Sequence, residues 1–218
     1  MTGVAGAVID LAAVAVLVIG VAGLWRRDLR ALVGLLRIQG IALALVAAAT
    51  AATQHDVGLG VTAVLVVVVK AGVVPTLLGR VARSDPGARE GAPFINVPSS
   101  LVLAAALVGL AMVVGAPLHA LAPGRAAALA PLGLATVLAG YLLLVTRRRA
   151  LSQVVGLLVI DNGVALMTFL LTAGVPLIVE LGGSLDVLLV VVVLRALLGT
   201  MRARLGNVAL DELRELHD

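Results

Sequence analysis

Two aspartates sit where a membrane-spanning chain tolerates them least. Asp161 and Asp186 fall inside hydrocarbon-length apolar runs in the stretch IDNGVALMTFLLTAGVPLIVELGGSLDVLLVVVVLR. On insertion scales an Asp near the centre of a membrane helix costs roughly 2.5–3.5 kcal/mol. Two of them on consecutive helices require a partner, a water-filled cavity or a proton. The obvious mid-membrane cation is Lys70, in VLVVVVKAGVV. From the 1.5 Å rise per residue, Lys70 lies roughly 15 Å from Arg80, Asp161 roughly 18 Å from Arg149 and Asp186 roughly 24 Å from Arg202. These depths are the middle third and outer half of a roughly 30 Å hydrocarbon core.

Two kinds of chemistry fit such charges. One is a buried ion pair that holds helices in register. The other is a proton-responsive carboxylate, because burial favours the protonated acid and a neighbouring cation favours the ionised one. A lysine beside the acid then sets which of them carries the proton. Asp161-Asn162-Gly163 is the sharper half, since Asn162 can hydrogen-bond and Gly163 allows close approach of backbone or water. Arg37 and Arg195 are close enough to one face to snorkel, and Glu180 reads as an acid at the outer end of its helix. Pro75 and Pro176 kink or begin helices.

These residues must be positioned by helices. The chain is 61% hydrophobic and 13% charged over 218 residues, with 24 Gly. A soluble domain is roughly 45–50% apolar and 25% charged, so this is an all-α polytopic membrane protein. Long continuous apolar runs exclude a membrane barrel. Cysteine is absent, which excludes disulfides and thiolate-held metal, and His55, His119 and His217 have no metal-ligand spacing. No cofactor is expected. The net charge of +4 comes from short Arg clusters between apolar runs, a topology signal and not a nucleic-acid surface.

Seven runs approach the roughly 20 residues that span a bilayer: 4–24, 31–52, 59–79, 98–118, 126–146, 151–173 and 177–199. Alternate connections collect twelve of the sixteen basic residues on one side, against Arg125 alone on the other. The positive-inside rule then places the N-terminus outside and the C-terminus in the cytoplasm. The first run has no basic segment ahead of it and is followed by WRRDLR, the order of an uncleaved helix and not a signal peptide. The tail NVALDELRELHD carries Leu210, Leu213 and Leu216 on one helical face, to pack on a partner, the protein's own surface or the membrane.

The chain also repeats itself. GLLRIQGIALAL in the second span parallels GLLVIDNGVALM in the sixth, and VLVVVVKAGVV in the third parallels VLLVVVVLRALL in the seventh. Two parallel three-helix units joined by one extra helix account for seven spans. The expected division is residues 1–80, a loop and linking helix at 81–124, a second unit at 125–204 and a tail at 205–218. Asp161 then faces Gln39 or Gly40 of the first unit, and Asp186 faces Thr62.

VVKAGVVPTLL, GLLVIDNGVAL, VPLIVELGGSLDVLLVVVV and LDELREL, in that order, resemble the hydrogenase-4 component E family over nearly the whole chain. The second half is similar to the K subunit of respiratory complex I and the C subunit of Mrp antiporters, three-helix units with membrane-embedded acids on a proton path. The resemblance implies a non-catalytic subunit of a group 4 hydrogenase or formate-hydrogenlyase-like complex in a bacterial or archaeal plasma membrane. Its partners would be antiporter-like proton-channel subunits, the subunit anchoring the redox arm, and the bilayer. Asp161 stands where the family usually has Glu in Glu-Asn-Gly, one methylene longer. Lys70 matches a Lys-x-x-x-x-Pro pattern, Asp186 a seventh-helix Asp and Glu180 a Glu before Leu-Gly. Together with Asn162, Arg195 and Gln39 from the reading of the spans, Asp161, Asp186, Lys70 and Glu180 make up the expected proton path. The alternatives are a stand-alone cation or proton transporter and a purely structural membrane scaffold. Transporter repeats often break helices at matching positions, and Pro75 and Pro176 do not match.

Overall fold

The computed structural model describes residues 3–83, 95–117 and 126–171. Within them lie six helical spans long and apolar enough to cross a membrane, and no strand. These are α1 (Gly3–Trp25), α2 (Leu29–Gln54), a third span Val57–Arg83, α5 (Val97–Gly115), a span Ala126–Thr146 that contains α6 (Ala130–Thr146), and α7 (Ala150–Leu171). Six of the seven expected runs thus correspond to helices. The expected run 177–199, with Glu180, Asp186 and Arg195, lies outside the described residues, as does the tail.

The third span is not one regular helix. It consists of α3 (Val57–Val66), a π-helical segment Val67–Val73 and α4 (Val74–Arg83). Within it the Val74 N–H donates to the Val69 carbonyl, five residues back instead of four. Pro75 supplies the local cause. It has no N–H to give the carbonyl four residues earlier, and its ring collides with that carbonyl in a regular α-helix. A wider turn just before the proline relieves the clash.

Short polar caps set the turns. Asp28 accepts from the Arg30 N–H at 3.1 Å and opens α2. His55 takes a left-handed conformation (φ 55°) after α2, and Asp56 then caps α3 by accepting from the Gly58 and Leu59 N–H groups. Asn96 caps α5 through the Ser99 N–H.

Large apolar side chains such as Leu11, Val18, Val64, Val102 and Val113 point outward, as bilayer-facing residues do, while much of the interior is Ala, Gly and Thr. Small residues let helices approach closely where lipid removes the hydrophobic drive for association. The α6–α7 hairpin depends on this. A Cβ on Gly140 would lie 2.7 Å from the Ile160 nitrogen, and one on Gly156 2.7 Å from the Leu144 nitrogen.

Most of the core falls into two apolar layers, beside a smaller cluster of Leu17, Ala111 and Ala135. One holds Ile9, Val16, Leu43, Ala47, Leu59, Val66, Leu166 and Phe169; the other holds Leu24, Leu32, Leu36, Val74, Leu78, Leu143, Val155 and Leu158. The second layer is at the arginine-bearing end. There Arg147 is buried, and its Nη2 donates to the carbonyls of Gly23 (3.0 Å), Leu24 (3.0 Å) and Arg26 (2.8 Å). The first two are carbonyls that the last turn of α1 leaves unpaired and the third lies just past its end, where a cation also complements the helix dipole. The sequence reading counts Arg147 with Arg148 and Arg149 as a loop charge; in the fold it clamps the end of α6 to the end of α1.

A Gly140→Ala substitution is expected to destabilise the protein by about 1–3 kcal/mol, because backbone and not a flexible side chain occupies the space. Thermal unfolding in mild detergent measures it. Gly109→Ala, where nothing lies within 4 Å, serves as the control and leaves the midpoint unlowered.

Candidate functional site

Between the two apolar layers is a layer of polar side chains, contributed near the middle of α2, the π segment and α7. Lys70 Nζ lies 2.8 Å from Asp161 Oδ2, with the lysine 6% and the aspartate 23% exposed. Each charge would be costly at this depth alone, and together they satisfy one another. The remaining residues of the layer are amides. Asn162 Nδ2 donates to Gln39 Oε1 at 3.0 Å, and Gln39 Nε2 donates to the Val16 carbonyl of α1 at 2.9 Å.

Helix geometry separates these two arms. Consecutive residues are about 100° apart on a helix, so Asp161 faces the π segment while Asn162 faces α2. Gln39 and Asn162 are both almost fully buried. Gly20 makes room for them: a Cβ there would lie 3.2 Å from Gln39 Nε2, 3.3 Å from Val159 and 3.7 Å from Thr136. Four helices, α1, α2, α6 and α7, therefore converge on this glycine. Beside the ion pair is a small, partly open pocket with room for about one water molecule, lined by Lys70, Asp161 and Asn162 and by the apolar side chains of Leu36, Val69, Val74 and Leu158. Its apolar lining belongs to the arginine-bearing end of the core, Val69 being packed against that layer from beside the lysine.

The chemistry open to this arrangement is the holding and handing over of a proton. Lys70 and Asp161 form a donor–acceptor couple in contact with a small cavity. The amide arm has a different part: Asn162 and Gln39 fix the α2–α7 spacing and satisfy the Val16 carbonyl. Among the described residues no group of three or more His, Cys, Asp or Glu side chains could hold a metal.

Of the expected path residues, the structure brings Lys70, Asp161, Asn162 and Gln39 into one layer. Asp186, Glu180 and Arg195 lie outside the described residues. Arg37 points away from the layer and donates through Nη2 to Thr76 Oγ1 at 3.2 Å, tying α2 to α4. Thr76 in turn donates to the Gly72 carbonyl at 2.6 Å. Of the two expectations for Gly163, close approach of backbone or of water, the structure shows the first. Its Cβ position is taken by the Val137 nitrogen at 2.7 Å and the Gly133 carbonyl at 2.9 Å, so it serves helix packing and not water access.

The sequence reading misses Gly20, Gly40 and Arg147. Arg147 had a signal: it falls in register with the buried stripe Thr136, Gly140 and Leu143. Gly40 had one too, since it adjoins Gln39, but what it faces is a backbone and has no mark in the sequence. A Cβ there would meet the carbonyl carbon of Lys70 at 2.8 Å.

Lys70→Met strands a carboxylate among apolar residues and is expected to destabilise the protein by about 3–5 kcal/mol. Adding Asp161→Asn should return most of that loss. A double-mutant cycle on unfolding in detergent measures the coupling, and strictly additive effects would show that the two groups do not interact.

The chain is 43% identical over 211 residues to a protein of Mycobacterium tuberculosis (strain ATCC 25618 / H37Rv) described as "Uncharacterized protein Rv0085", an alignment that covers 96% of both chains. No model of a known protein family matches. No solved structure matches either.

Proposed function

This chain belongs to the family of the uncharacterized protein Rv0085, and we propose that it is a non-catalytic membrane subunit of an energy-converting, hydrogenase-4-like oxidoreductase complex. In this reading it contributes a protonatable site to a transmembrane proton path. The observation that carries the proposal is the Lys70–Asp161 pair at 2.8 Å, at mid-span and beside a pocket. A charge pair that only joined helices would gain nothing from an adjoining cavity, whereas a proton-transfer site needs one for water to reach it.

The remaining support comes from the sequence. The order of VVKAGVVPTLL, GLLVIDNGVAL and LDELREL resembles hydrogenase-4 component E, and the absence of cysteine leaves iron–sulfur chemistry to neighbouring subunits. The arginine-bearing end of the bundle is assigned to the cytoplasm of a bacterial or archaeal plasma membrane by the positive-inside rule. The partners are antiporter-like subunits and the subunit that anchors the redox arm. The run 177–199 forms a seventh span in this reading.

A structural scaffold is the second reading, because the same ion pair ties the π segment to α7. Asp161→Asn separates the two in the assembled complex. The relay reading expects intact assembly and redox turnover, with redox-linked proton movement reduced roughly tenfold or more, as for loss of an acid–base group. Unchanged coupling in an intact complex would favour the scaffold. Proton movement by the purified chain alone in liposomes would instead favour a stand-alone transporter.

A further inference from the structure

The π segment raises a question that the ion pair does not answer: why the third span departs from a regular helix at the residues around its lysine. Burial along the span gives a geometric reason. Val66 and Leu78 are both essentially inaccessible, at 1% and 0% exposure. Twelve residues of uninterrupted α-helix would leave them about 120° apart, whereas one extra residue in the turn brings them to within about 20°. The Leu59–Leu78 pair obeys the same rule, moving from about 100° apart to nearly aligned. The bulge therefore keeps α3 and α4 facing the same core, and Lys70 sits inside the segment that makes the correction.

Two features hold the bulge in place. Pro75 disfavours a regular turn immediately before it. On the facing helix, Gly40 leaves space that the widened backbone fills, with its Cβ position 2.8 Å from Lys70 C, 2.9 Å from Lys70 O and 3.0 Å from Ala71 N. The exposed surplus is on the opposite side, where Val67 and Val68 are adjacent in sequence and both outward-facing, at 46% and 52% exposure.

We propose that Pro75 and Gly40 are positioning residues that act through the π turn to aim Lys70 at Asp161. Removing the extra residue rotates the lysine by about 100° relative to one flank of the span, enough to take its ammonium off the α7 face. The inference deepens the proton-site reading and rests on it for its functional meaning, but the geometry it predicts can be tested without any activity. Its advantage to the protein is that the lysine's direction depends on backbone geometry, which one proline and one glycine set together.

Lys70 is the sole lysine of the sequence, so a lysine 15Nζ label gives one side-chain resonance. The experiment records that resonance against pH for the full chain in lipid bilayers. Asp161→Asn supplies the reference for a lost pair. Gly40→Ala must push the Lys70 backbone away, and a Pro75→Ala chain lacking Val68 can form a regular helix with its core residues retained. Both are expected to move the resonance and its pH profile toward the Asp161→Asn reference. Gly34→Ala, on the same helix with nothing within 4 Å, is expected to match the unsubstituted protein. If Gly40→Ala folds and keeps the unsubstituted profile, the inference is overturned, even should the deletion variant fail to fold. If Asp161→Asn itself leaves the resonance unchanged, the pair has no influence on the lysine, and the proton-site reading fails separately.

Discussion

A lysine and an aspartate at the middle of a membrane-length bundle are each expensive, and the 2.8 Å contact between Lys70 and Asp161 is what makes either tolerable. The constraint propagates outward. Pairing requires the π segment to stand close to α7, α2 to fit between them and α1, and backbone to approach backbone where side chains would intervene. Gly40 and Gly20 are the residues that give way. The apolar layers above and below the pair are built of residues that can pack at those distances, with alanine prominent toward one end and leucine and valine toward the other.

The same layer separates two functions that a list of polar residues would merge. Asp161 and Asn162 are neighbours in sequence, yet one meets a cation and a pocket while the other closes an amide chain ending on a carbonyl of α1. Amides hold protons in fixed hydrogen bonds and do not readily pass them on. The arm through Gln39 thus has the character of a spacer, and the arm through Lys70 is the one on which the proposed proton site rests. At the arginine-bearing end Arg147 plays a comparable spacing part, joining α6 to α1 through carbonyl oxygens.

Much of this was legible in the sequence, for identifiable reasons. Hydropathy marks the helices because each must satisfy its own backbone in lipid, and the depth of Lys70 and Asp161 follows from a fixed rise per residue. Lys70 stands out as the cation because the other basic residues in the spans, Arg37 and Arg195, fall nearer the ends. The π turn was not legible in the same way, since a five-residue hydrogen bond has no composition of its own; only Pro75 and the unusually long spacing of buried residues hint at it. Nor could sequence show that Gly163 packs against α6, because a glycine reads alike whether it admits water or a neighbouring helix. Arg147 was hidden among three consecutive arginines, of which only the first continues the buried face of its helix.

The most direct measurement is a dipolar distance in bilayers between the single lysine 15Nζ and 13Cγ-labelled aspartate. The account predicts the strong coupling of a direct contact, abolished by Asp161→Asn and by no other single aspartate substitution. Absence of that coupling in the folded protein, or its persistence in Asp161→Asn, would contradict the pair on which the rest of the structure depends.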